Sequence, residues 1–213
     1  MKKIGNKTIE VEIRALVNDA KSAKLCIGRS GAKFIRKIYV HDIYFCNKNY
    51  FQFADVEMNS VGSYSLRLRC SRENQKQSLS LNTKIITKES DHNAWEEHES
   101  EVSNFSEVFE MLCFTEFKPF FELKKWRLEY KFNNLNIFIE EIEDFGSGIE
   151  VEIMTIPGCE EKAKKQIMEF LNSIGISSKD IVPKSVTNII MRKRAFKNEI
   201  IIDKNLDIPV DAL

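Results

Sequence analysis

Like-charged residues recur along this 213-residue chain at a spacing of two: Glu10 and Glu12, Arg67 and Arg69, Lys125 and Arg127, Glu150 and Glu152, with Glu97, Glu99 and Glu101 as an acidic series. In an extended strand that spacing puts both side chains on one face, so each pair offers one sign of charge to one target. Clustered carboxylates supply the oxygen ligands that Mg²⁺ and Mn²⁺ prefer, and clustered arginines and lysines clamp phosphate oxygens. A solvated sheet face carrying ion pairs is the alternative for any single pair, since exposed ion pairs are worth only about 0–1 kcal/mol. The whole set resists that reading, because like charges side by side on a strand repel.

If these faces converge inside a barrel, the lining holds Glu10, Glu12, Glu97, Glu99, Glu140, Glu150 and Glu152 as acids. Its bases are Arg14, Arg67, Arg69, Lys84, Lys125 and Arg127. Taking a charge out of water costs roughly several kcal/mol. Such a lining therefore has to stay hydrated and hold counter-ions. A polyanion suits the bases and divalent cations suit the carboxylates, and a triphosphate with its metal meets both demands.

The elements that would position these groups are mostly strands. Residues 8–16 alternate, with Ile9, Val11 and Ile13 opposite Glu10, Glu12 and Arg14. Asn18 or Asp19 caps a helix running to about Ser30, with Gly31 as its stop. Strands are expected over 33–46, 50–58, 63–72 and 78–87, with Ser71–Gln77 as a hairpin loop and Lys88–Asn93 as another. A strand over 95–103 leads to a short helix capped by Ser103 or Asn104 and ending near Cys113. Strands 118–132 and 135–143 meet at Asn133–Asn134, and Ile149–Thr155 is the last. Gly158–Ser173 reads as an amphipathic helix with Gly175 past its end. Ser178–Lys197 reads as helix broken near Pro183. The order is strand-rich with helices inserted and appended, an α+β class. No internal repeat or linker divides the chain, so a single domain over 1–197 with a tail at 198–213 is expected.

Composition excludes some classes. Lys+Arg and Asp+Glu both number 32, which argues against a protein held to nucleic acid by a general excess of positive charge. No run of about 18 apolar residues suggests a membrane span, and Met1–Lys7 lacks the apolar core of a signal peptide. The cysteines at 26, 46, 70, 113 and 159 are odd in number and unpaired in spacing, as expected of reduced thiols in a cytoplasmic protein. His41, His92 and His98 have no metal-ligand spacing.

The same residues resemble the CYTH family of class IV adenylyl cyclases and thiamine triphosphatases, the triphosphate tunnel metalloenzymes. Glu10-Val11-Glu12-Ile13-Arg14 is similar to the family's ExExK opening, and Asp42-Ile43-Tyr44-Phe45 to DxYF. Leu66-Arg67-Leu68-Arg69 resembles LRxR, and Leu81-Asn82-Thr83-Lys84 resembles LTxK. Trp95-Glu96-Glu97-His98-Glu99 stands where the family has RxExE, Lys125-Trp126-Arg127 matches KxR, and Phe145-Gly146 with Glu150-Val151-Glu152 resembles the closing LG…ExE. The resemblance spans about residues 8–190 and looks closest to the class IV cyclase branch.

It implies an eight-stranded antiparallel β-barrel tunnel with flanking helices, open at its ends, that binds a triphosphate such as ATP or tripolyphosphate with Mg²⁺ or Mn²⁺. Arg67, Arg69, Lys84, Lys125 and Arg127 would hold phosphate. Glu10, Glu12, Glu150 and Glu152 would carry metal, and Arg14 and Glu140 would be catalytic. Glu97 and Glu99 would complete the metal's surroundings or orient a nucleophile. No nucleic acid or membrane partner is implied, and a homodimer is an allowed assembly. Arg14 departs from the family lysine and, staying protonated, cannot accept a proton. Trp95 replaces a common arginine, Glu140 a usual aspartate, and Val40 and Val186 a glutamine and a tyrosine. Three activities fit: ATP cyclisation to cyclic AMP and pyrophosphate, hydrolysis of an inorganic, thiamine or nucleoside triphosphate, and non-catalytic triphosphate or polyphosphate binding.

Overall fold

Alternation along each strand gives the sheet one charged face and one apolar face, and the fold turns the charged face inward. The computed structural model describes residues 8–88, 94–183 and 185–197. In chain order these form β1 (Ile9–Val17), α1 (Ala20–Arg29), β2 (Lys33–Asn47), α2 (Phe53–Val56), β3 (Tyr64–Glu73), β4 (Lys76–Ile86), β5 (Ala94–Glu101) and α3 (Phe105–Phe114). They continue with β6 (Phe117–Phe132), β7 (Leu135–Ile142), β8 (Gly146–Thr155), α4 (Glu160–Ser173), a 3-10 turn (Ser178–Asp180), β9 (Ile181–Val182) and α5 (Val186–Arg194). The sheet runs β5-β4-β3-β2-β6-β7-β8-β1, all antiparallel, and β1 pairs back onto β5 through Glu10–Trp95 and Val11–Ala94. Eight strands thus close a barrel. The two-residue β9 adds to β1 beyond this seam, at Arg14 and Ala15.

The apolar core lies outside the barrel. Ile9, Val11 and Ile13 of β1, Ile137 and Ile139 of β7, and Ile149, Val151 and Ile153 of β8 face outward under α1 and α4. Helix α4 presents Ala163, Ile167, Phe170 and Leu171 to them at helical spacing. Each large apolar side chain so buried contributes about 1.5–3 kcal/mol. Helix α3 covers a second patch at Ile43, Phe45 and Leu68. The Asp19 carboxylate caps α1, accepting from the Lys21 and Ser22 amides at 3.0 Å each. Asn133, at φ 52°, turns β6 into β7.

Three sequence expectations need correction. Residues 50–58 form no strand: the Asp55 side chain accepts from the Phe51 and Gln52 amides at 2.8 and 3.1 Å, closing the single helical turn of α2. The polar run Ser71–Gln77 is mostly ladder, because β3 and β4 stay paired out to Glu73–Lys76 and turn only at Asn74, φ 54°. Ser178–Lys197 breaks into the 3-10 turn, β9 and α5, since Ile181 and Val182 pair with the free edge of β1. Most of the expected loop at 88–93, His92 within it, and the tail from 198 lie outside the described residues. Among the described residues no helix is long and apolar enough to cross a membrane.

Ile167 is fully buried between α4 and the outer sheet face. Ile167→Ala is expected to lower unfolding stability by about 2–5 kcal/mol in urea titration.

Candidate functional site

The inward face carries the charged pairs. Glu10, Glu12, Arg14, Arg67, Arg69, Lys84, Glu97, Glu99, Lys125, Arg127, Glu150 and Glu152 all line one cavity of about 820 Å³ that runs through the barrel. Glu12 is 0% exposed and Lys125 3%, so these are not surface charges. Lys124, next in sequence to Lys125, points outward and pairs with Glu122 at 3.8 Å.

The bore is an interleaved ionic lattice. Lys84 Nζ bonds Glu10 and lies 3.3 Å from Glu12 and 3.7 Å from Glu97. Arg14 Nε donates to Glu150 at 2.8 Å while its Nη2 abuts Glu12. Glu140 stands in the wall behind the bases, taking Lys125 Nζ at 2.5 Å and Arg127 Nε at 2.8 Å, and Arg127 Nη2 reaches Glu150 at 3.3 Å. Asp42, 0% exposed, receives a two-pronged contact from Arg69 at 2.7 and 2.8 Å and lies 3.8 Å from Arg67. Arg67 in turn approaches Glu97 at 3.5 Å, and its buried Nε has no hydrogen-bond partner.

This lattice splits the carboxyls into two kinds. Burial alone would raise the Asp42 pKa, but the Arg69 and Arg67 guanidiniums hold it well below the carboxylate range. Burial likewise pushes Glu10 up, and Lys84 with a hydrogen bond from Glu97 brings it down to about 2. The donor in that bond pays the complementary cost: burial, offset by Lys84, and the hydrogen bond to Glu10 push Glu97 up to about 7. Burial and the neighbouring Glu10 and Glu150 raise Glu152 to about 7, although Asn136 Nδ2 donates to it at 2.9 Å. Burial lowers Lys125 to about 8 against the attraction of Glu140.

Carboxylate oxygens of Glu10, Glu12 and Glu152 lie within 4.8 Å of one another. Three hard oxygen donors this close suit a divalent cation, whose charge would relieve the repulsion that raises Glu152. Glu150, grouped with them on sequence spacing, is instead engaged by Arg14 and Arg127. Glu99 lines the cavity but is exposed, in reach of Asn82 and Ser80, which lower its pKa against partial burial. Glu140 contacts the bases and not the cavity. Trp95 is buried in the lining beside the β1–β5 seam. Asp42 has no like-charged partner at a spacing of two, so charge pairing does not mark it; the likeness of Asp42–Phe45 to DxYF was the available signal. His41 pairs with Glu122 at 2.9 Å and His98 is exposed, so neither joins the site.

A family model described as the CYTH domain matches residues 8–186. A Methanocaldococcus jannaschii protein named "Putative adenylate cyclase MJ0240" is 28% identical over 185 residues, 83% of this chain and 95% of that protein. The solved PH1819 protein from Pyrococcus horikoshii superimposes with a TM-score of 0.73 at 23% identity, covering 87% of this chain and 99% of its own. A Hippeastrum structure described as "Putative adenylyl cyclase HpAC1" with a dominant triphosphatase activity gives 0.59 at 19% identity, covering 87% and 95%. At these identities the two structural likenesses speak for the fold.

Glu97 and Glu152 keep protons in the folded state that the unfolded chain releases near pH 4.5. Between pH 4.5 and 7 the native state therefore binds more protons, and this contribution to stability falls as pH rises. Glu10 acts oppositely: its contribution is present above pH 4.5 and is lost as pH falls toward 2. In chelator, the melting temperature of Glu97→Gln/Glu152→Gln is expected to fall less between pH 5 and 7 than that of the parent chain. An equal slope in both proteins would refute the assignment.

Proposed function

This chain belongs to the CYTH domain family, and on that premise we propose that it is a divalent-metal-dependent enzyme acting on a triphosphate, with ATP cyclisation to cyclic AMP and pyrophosphate as its reaction. One observation carries the reading: bases and carboxylates from six different strands converge on one bore whose lining includes a three-carboxylate cluster.

Glu10, Glu12 and Glu152 would hold Mg²⁺ or Mn²⁺, with Glu150 beside them. When bound, the cation supplies charge neutralisation and orientation of the phosphate oxygens. Arg67, Arg69, Lys84, Lys125 and Arg127 clamp those oxygens and offset charge developing on the departing group. Arg14 orients Glu12 and Glu150, and Glu140 holds Lys125 and Arg127 in place; both act as positioning residues. In cyclisation the ribose O3′ forms a bond to the α-phosphorus, the bond from that phosphorus to the bridging oxygen breaks, and pyrophosphate leaves. The O3′ proton needs an acceptor, and Glu97, with its pKa near 7 beside Arg67, has the strength for it.

Hydrolysis is the second reading. The same carboxyl would orient a water toward the terminal phosphorus, and the Hippeastrum neighbour is described with that activity as dominant. Incubating the pure protein with Mn²⁺ and either ATP or tripolyphosphate, then identifying products, separates the readings. Cyclic AMP with pyrophosphate supports cyclisation, and orthophosphate supports hydrolysis. Tight binding without turnover leaves a triphosphate binder.

Arg67→Ala and Glu12→Ala are each expected to lower kcat by about 10²-fold or more, with far-UV circular dichroism unchanged. Full activity in either variant would remove the site assignment.

A further inference from the structure

The acidic cluster is not placed by its own residues alone. Four strands carry a row of side chains at one level of the barrel, for Lys131 of β6 pairs with Asn136 of β7, Asn136 with Glu152 of β8, and Glu152 with Glu12 of β1. Glu12 and Glu152 belong to the cluster. Asn136, next along the row, carries no charge and so falls outside any search for charged pairs.

Glu152 is the member of the cluster that most needs holding. It borders two spaces at once, the main cavity and a second one of about 410 Å³ that Lys131 and Asn136 also line. Glu10 repels it on one side and open space adjoins it on the other. A long, flexible carboxylate in that position would spread over several rotamers. Asn136 Nδ2 donates to Glu152 Oε1 at 2.9 Å and selects one of them.

The direction of that amide is itself set. Lys131 Nζ donates to Asn136 Oδ1 at 2.5 Å. An ammonium has only donors, so it takes the amide oxygen and leaves the amide NH₂ facing Glu152. A reversed amide would aim its oxygen at the carboxylate and its NH₂ at the ammonium, and both bonds would be lost. With Oε1 engaged by Asn136, Oε2 is the oxygen left for a cation.

We propose that Asn136 is a positioning residue for the metal site: locked by Lys131, it fixes the Glu152 carboxylate beside Glu10 and Glu12 where the three can share a divalent cation. The inference rests on the metal-dependent reading and adds to it two residues that act through Glu152. Hydrogen-bond partners standing behind metal ligands account for about 10–100-fold in metal affinity.

The test is Mn²⁺ binding with no triphosphate present, followed by loss of the free-ion electron paramagnetic resonance signal. It compares the parent chain with Asn136→Leu, Lys131→Met and Asn104→Ala. Asn136→Leu nearly keeps the size of the side chain, removes both hydrogen bonds, and is expected to raise the Mn²⁺ Kd about tenfold or more. Lys131→Met keeps the amide but frees its direction, and is expected to raise the Kd by a smaller factor. Its sign is decisive, because removing a positive charge with no effect on Asn136 would tighten cation binding. Asn104→Ala uncaps α3 over β3 and lowers stability without touching the row, so its Kd is expected to stay within about twofold of the parent's. An unchanged Kd in Asn136→Leu, tighter binding in Lys131→Met, or an equal loss in Asn104→Ala would overturn the inference while sparing the three-carboxylate site. Failure of the parent chain to bind Mn²⁺ would bring down both.

Discussion

Everything in this fold answers to the cost of keeping charges inside a barrel. A carboxylate or guanidinium cut off from bulk water is tolerable only beside an opposite charge with good hydrogen-bond geometry. The chain meets that demand by interleaving signs across neighbouring strands. Arg69 locks onto Asp42, Lys125 and Arg127 share Glu140, and Arg14 bridges to Glu150. With the interior given to ions, the hydrophobic core has to form elsewhere, and it forms on the outside of the sheet beneath α1, α3 and α4. The barrel is in this sense inside out, and its helices are the other half of its core.

The lattice also decides how a ligand is received. Every base in the bore already has an acidic neighbour, so an incoming polyanion must compete with the protein's own carboxylates. Those carboxylates outnumber the bases, and the excess collects at Glu10, Glu12 and Glu152, where Glu152 holds its proton up to about pH 7. A divalent cation at that point would neutralise the excess and would free Lys84 from part of its attachment to Glu10 and Glu12. Metal and triphosphate are thus expected to favour each other's binding, a coupling that follows from charge balance without any motion of the barrel.

Much of this was legible along the chain. The period-two charge pairs marked much of the charged lining, and the cap candidates at 18–19 and 103–104 located two helices, which Asp19 and Asn104 cap. What failed failed for local reasons. Residues 50–58 are apolar enough to pass as a strand, but one carboxylate, Asp55, satisfies two amides and closes a turn instead. Ser71–Gln77 looks like a loop by its polarity, yet its residues line the hydrated mouth, where a paired strand has no need of apolar side chains.

The sequence by itself determined which faces are charged, because alternation in a strand is a property of the backbone and needs no partner. It could not decide which charge meets which. Glu150 shares its spacing with Glu152, but the register of β1 against β8 puts Glu150 beside Arg14 and Glu152 beside Glu12, so one becomes an ion-pair acceptor and the other joins the acidic cluster. Nor could it reveal Asp42 as the anchor of two arginines, because that contact depends on the pairing of β2 with β3, which only the tertiary fold sets.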